Sequence, residues 1–144
     1  MTYGWAILVV LGAIGALAYF GVLSPEKFLP DKCSMPVGFG CADIAASATA
    51  DSGTDNVKFP LENALGRSIT ISSVTFTGSP NDLPVTDIDF PTSMTNGYKE
   101  NVILKFADLK EKSKVKGEIT ITYTDDESSL SHTKIGDILV TVSP

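Results

Sequence analysis

The first twenty-five residues, Met1 to Pro25, contain no charged side chain. From Trp5 to Leu23 nearly every residue is apolar or small. A helix that is apolar on every side belongs in lipid or inside an assembly rather than on a solvated surface. As a helix, Met1 to Leu23 is about 35 Å long, enough to cross the hydrocarbon core of a bilayer. Gly4, Ala6, Gly12, Ala13, Gly15, Ala16, Ala18 and Gly21 keep parts of it narrow. Gly12 and Ala16 stand four apart, a spacing that lets helix backbones approach closely. Each interior glycine costs up to about 1 kcal/mol relative to alanine, and close packing is the natural offset. The residues expected to pack in that helix core are Trp5, Ile7, Leu8, Val9, Val10, Leu11, Gly12, Ile14, Gly15, Ala16, Leu17, Tyr19 and Phe20. A secretory signal peptide fits poorly, since no basic residue precedes the run and the run is long.

Ser24-Pro25 is expected to end the helix, because the residue before proline avoids the α region. Glu26 and Lys27 are the first charges. Cys33 and Cys41 follow, separated by the Gly- and Pro-containing stretch Ser34-Met35-Pro36-Val37-Gly38-Phe39-Gly40. Outside the cell such a pair reads as a disulfide. A redox pair wants a tighter C-x-x-C motif. A closed zinc site needs further ligands, and the sole histidine, His132, is distant in sequence.

Beyond Cys41 the apolar residues alternate. Val57, Phe59 and Leu61 share one parity, and Ile69 and Ile71 another. Val74 and Phe76 then switch parity, which predicts a bulge at Ser72-Ser73. The alternation resumes at Val102, Leu104 and Phe106, at Ile119, Ile121 and Tyr123, and at Ile138, Val140 and Val142. These residues, except Leu61, are the expected head core. Ala42 to Thr49 offers a weaker first strand. Short strands separated by Gly, Asn, Asp and Pro turns predict an all-β immunoglobulin-like sandwich. The expected fold class is therefore α+β, with a long N-terminal hydrophobic α-helix ahead of that head. The expected divisions are a helix at residues 1–24, a linker with the cysteine loop at 25–41, and the head at 42–144.

The formal net charge of −6 opposes nucleic acid binding, which needs basic residues to displace counterions. Lys105, Lys110, Lys112, Lys114 and Lys116 are interleaved with Asp108 and Glu111 and read as a solvated loop. No catalytic constellation is present, since His132 has no triad around it in sequence. Asp125-Asp126-Glu127 has the oxygen ligands calcium takes, but its spacing matches no calcium loop, and it reads as a solvated turn. No metal and no cofactor are expected. Thr70, Thr75, Thr77, Thr120, Thr122, Thr124 and Thr141 suit the outer face of a sheet and are candidates for O-linked glycans. The chain has no Asn-x-Ser/Thr sequon. Tyr3, Trp5, Tyr19 and Phe20 read as rings that fill helix interfaces.

The run Met1-Thr2-Tyr3-Gly4-Trp5-Ala6-Ile7-Leu8-Val9-Val10 resembles the N-terminal signature of archaeal type IV pilins with class III signal peptides. So do Phe20-Gly21-Val22-Leu23-Ser24-Pro25, Phe28-Leu29-Pro30, Cys33, Pro36-Val37-Gly38-Phe39 and Cys41. In that family a basic leader, a cleavage site and a glutamate precede the run, and none of these is assigned to a residue here. The resemblance implies an extracellular filament subunit that sits in the membrane before assembly. It would then polymerise with copies of itself, serving adhesion to a surface or cell receptor. The alternatives are a monomeric membrane-anchored binding module and an archaellum-type motility subunit.

Overall fold

The alternation of apolar residues becomes ten β-strands in the computed structural model, which describes residues 3–20, 29–48, 55–79 and 85–144. One helix, α1 (Gly4–Tyr19), precedes them. The strands are β1 (Lys32–Ser34), β2 (Phe39–Gly40), β3 (Ala45–Ser47), β4 (Asp55–Asn63) and β5 (Ile69–Ser79). They continue as β6 (Val85–Asp89), β7 (Ser93–Met94), β8 (Lys99–Phe106), β9 (Lys114–Asp125) and β10 (Ser131–Ser143).

Two features of the expected fold class are corrected. The expected long helix is sixteen residues in the structure. At 1.5 Å per residue it is about 24 Å long. Among the described residues no helix is long and apolar enough to cross a membrane. Met1, Thr2, the expected helix end at residues 21–24 and the first part of the expected linker, residues 25–28, lie outside the described residues, as does Thr49. The second correction concerns the head. In place of an immunoglobulin-like pair of separate sheets there is one curled sheet in the order β6-β8-β4-β3-β10-β9-β5-β7. Strand β10 makes it continuous. It runs antiparallel to β9 from Ser131 to Thr141, then turns its last residues to β3 in parallel pairing, Val142 with Ala46 and Ser143 with Ser47. The molecule is mainly β.

The core lies inside the curl. In β4 every second residue from Asp55 to Asn63 is buried. Val57, Phe59, Ile69, Ile71, Val74, Val102, Leu104, Phe106, Ile119, Ile121, Tyr123, Ile138, Val140 and Val142 are buried, and Phe76 is half-buried. A fully buried Phe or Leu contributes about 1.5–3 kcal/mol relative to exposure. Two ring pairs tie the halves of the curl together. Phe39 meets Tyr123 edge to face at 5.3 Å, and Phe76 meets Phe106 at 5.9 Å. The register of β5 against β9 shifts between Ile71 and Ser73. This bulge returns Val74 to the inner face. Pro60 interrupts no needed ladder bond. It falls between the part of β4 paired with β3 (Asn56–Lys58) and the part paired with β2 (Glu62–Asn63), where one edge of the strand is open.

The lysines expected in one loop are divided. Lys105 is on β8 and bonds Asp87 of β6 at 2.8 Å, while Lys114 and Lys116 are on β9. The hydrogen bond with Lys105 holds the Asp87 carboxyl below its ordinary value and raises the lysine in return. Both groups are well exposed, so the pair contributes little to stability.

Candidate functional site

Every large apolar residue of α1 faces solvent in the single chain. Trp5, Ile7, Leu8, Val9, Val10, Leu11, Ile14, Leu17, Tyr19 and the flanking Phe20 are between 46 and 88% exposed. Gly12, Gly15 and Ala16 are exposed too. No helix residue is buried. Local chemistry does little to hold this helix. Its N-cap, Tyr3, makes no side-chain bond, the first turn has no acid and the last turn has no base. Capping and macrodipole stabilisation are therefore missing. Short helices are marginal in water and draw their stability from packing. A Cβ built on Gly4, Gly12 or Gly15 meets nothing within 4 Å. A shallow groove of about 290 Å³ runs along Tyr3, Ala6, Ile7, Val10 and Leu11. An exposed apolar surface of this kind marks an interaction site in a soluble or membrane setting.

The segment after α1 is strapped to the head from Leu29 onward. Cys33 and Cys41 form a disulfide, with Cα atoms 5.9 Å apart. β1 pairs antiparallel with β10, Lys32 opposite Leu139 and Ser34 opposite Asp137. Asp31 accepts hydrogen bonds from the Thr141 amide at 2.8 Å and its hydroxyl at 2.7 Å. Lys114 donates to the Leu29 carbonyl. Gly136 makes room for the strap. A Cβ there would lie 2.7 Å from the Met35 sulfur and 2.9 Å from the Ser34 carbonyl oxygen.

The outer face of β5 and β9 carries rows of hydroxyls. Thr70 pairs with Thr124 and Thr75 with Thr120, and the Thr122 and Thr133 hydroxyls are 3.4 Å apart. Thr77 is exposed, whereas Thr141 is taken up by Asp31.

The open end of the curl holds a cleft of about 370 Å³. The β4–β5 turn forms one wall and the β9–β10 hairpin the other. Asn63, fully buried, organises the turn. Its Nδ2 donates to the Arg67 and Met94 carbonyls, and its Oδ1 accepts from the Leu65 amide. Gly66 takes a positive φ of 84°, which the turn requires. Asp125, expected in a solvated turn, is 3% exposed. It accepts from Arg67 at 2.6 Å and from the amides of Glu127 and Ser128 at 2.9 and 3.2 Å. Burial raises this carboxyl, but those three donors outweigh it and hold it below its ordinary value. Burial likewise raises the Tyr123 hydroxyl. His132 lies against Tyr123, rings 5.5 Å apart and tilted by 33°. Asn63 and Asp125 were missed as inward residues, although each shares the parity of the buried residues before it.

Among the described residues no group of three His, Cys, Asp or Glu side chains could hold a metal ion. No family model matches the chain, and no curated protein matches it significantly.

Proposed function

We propose that this chain is the structural subunit of an extracellular filament of the archaeal type IV pilin kind. It polymerises through α1 and serves adhesion or surface attachment. The observation that carries this reading is α1 itself, with sixteen residues, no charge and none buried. Such a surface is covered in lipid before assembly and by other copies of α1 afterwards. Small residues let those helices approach closely. A head-to-tail contact that does not close generates a helical fibre, with the β heads outside. The strap and disulfide suit this role, because they tie the segment after the helix to the head. The threonine rows on the outer sheet face are positions for O-linked glycans.

Electron microscopy of material sheared from the cell surface tests the reading. Fibres containing this chain are expected. Recovery only from detergent-solubilised membrane, never in fibres, would replace it with a monomeric anchored binding module.

A further inference from the structure

We infer that the cleft at the open end of the curled sheet binds a carboxylate-bearing sugar, such as a uronic acid unit of an acidic polysaccharide. This deepens the adhesive role proposed above and rests on it for its biological setting. Binding itself does not require assembly.

The cleft's volume, about 370 Å³, falls in the range of small-ligand sites. Its polar groups converge from separate elements. Tyr123 and Asp125 come from β9, His132 and Lys134 from β10, and Arg67 from the β4–β5 turn. Asp125 is neutralised, because Arg67 and two backbone amides all donate to it. Arg67 uses one nitrogen on Asp125 and remains 48% exposed, so the rest of its planar fork is open to a second carboxylate. Lys134 makes no ion pair among the described residues, and it supplies the uncompensated positive charge. Leu65 and Leu130 add apolar walls for the carbon-bound hydrogens of a sugar ring. His132, exposed and lying against the buried Tyr123, adds ring surface.

The hairpin's other acids set the limits. Asp126 accepts from the Thr70 hydroxyl on the outer face of the sheet. Glu127 is exposed at the turn. They leave room for one acidic unit rather than a run of charge. The whole chain carries −6 and repels polyanions at large, so retention of an acidic sugar must come from a local site.

Calorimetric titration of the full chain in detergent micelles tests this, with galacturonate as the acidic probe and galactose as the neutral one. Saturable binding of the acid is expected, with the neutral sugar at least about tenfold weaker, a difference of about 1.4 kcal/mol. Lys134→Glu is expected to weaken acid binding by about tenfold or more, and Lys134→Gln by less. Lys116→Glu makes the same charge change at the far end of β9 and is expected to leave affinity unaltered. Circular dichroism melts verify that each variant is folded. Equal binding of both sugars, no binding of the acid, or equal loss in the Lys134→Glu and Lys116→Glu variants overturns the inference. Normal fibres without sugar binding would remove this site alone. Sugar binding without fibres would remove only the filament reading.

Discussion

Arg67 donates from Nη1 to Oδ2 of Asp125 across 2.6 Å, joining residues fifty-eight apart in sequence. The arginine is half in water, while the carboxylate side chain is 4% exposed. A buried carboxylate is costly unless it is paired and hydrogen-bonded. Here the pair closes the end of the sheet, and the amides of Glu127 and Ser128 supply further donors. The Asp125 carboxyl sits below its ordinary value in the folded chain. Its stabilising contribution is therefore complete above that value and is lost as pH falls through the lower folded one. Asp125→Asn keeps an acceptor for the two amides but loses the charge facing Arg67. The variant should melt several degrees lower near neutral pH, with the gap closing in strong acid. Melting curves across pH check this, and parallel pH profiles for parent and variant would contradict it.

Gly78 and Gly117 face each other in the β5–β9 ladder. A Cβ on Gly117 would come within 2.6 Å of the Phe76 ring and of the Thr77 carbonyl oxygen. A Cβ on Gly78 would strike the Lys116 carbonyl and lie 2.5 Å from the Gly117 Cα. Backbone on one side and a ring on the other leave no easy relaxation. Gly117→Ala should therefore cost on the order of 1–3 kcal/mol, as overpacking does. This outweighs the gain alanine usually brings by restricting the unfolded chain. The urea midpoint of the variant measures it, and an unchanged midpoint would show that Phe76 moves aside freely.

Much of the sheet was legible because period-2 alternation reports which face of a strand is dry. Val57, Phe59 and Leu61 show it, and the parity switch before Val74 announces the bulge. Asn63 and Asp125 were equally marked by parity, following Leu61 and Tyr123 in step. Their polarity pointed to turns instead, since a buried polar side chain needs partners that local sequence does not display. The closure of the sheet was not legible. It rests on two parallel pairs at the end of β10, between residues nearly one hundred positions apart, and no periodicity encodes them. The extent of the helix was misjudged for a different reason. The expectation came from the composition of the apolar run, which continues to Leu23, whereas the described helix α1 is sixteen residues, Gly4–Tyr19. The cleft escaped notice because its groups are contributed by different strands. His132 looked solitary until the register placed it opposite Tyr123.

The Cys33–Cys41 bond closes a loop with a sequence separation of eight over a strand, β1, that pairs through only three residues. So short a strand depends on its anchors. By loop-closure entropy such a staple contributes about 2–3 kcal/mol. Cys41→Ser should lower stability by that amount and speed amide exchange in β1 before the rest of the sheet opens. Mass measurement without reductant should find the parent two hydrogens lighter than after reduction. Free thiols in the untreated chain, or unchanged exchange in the variant, would count against the staple.

Gly12 separates the needs of the single chain from those of the proposed fibre. A Cβ at this position meets nothing within 4 Å, so the folded subunit has space for a large side chain. Leucine is also the better helix former, by somewhat under about 1 kcal/mol. Gly12→Leu should therefore leave the head's melting temperature and the helix content unchanged or slightly raised. In a fibre held by close helix contacts the added isobutyl group occupies the space a neighbouring backbone needs. The expected result is a folded subunit that reaches the membrane and yields few or shortened fibres, counted by electron microscopy. Leu11→Ala, next to it and free of added bulk, should impair assembly less. Wild-type fibre number and length with Gly12→Leu would place residue 12 off the packed stripe.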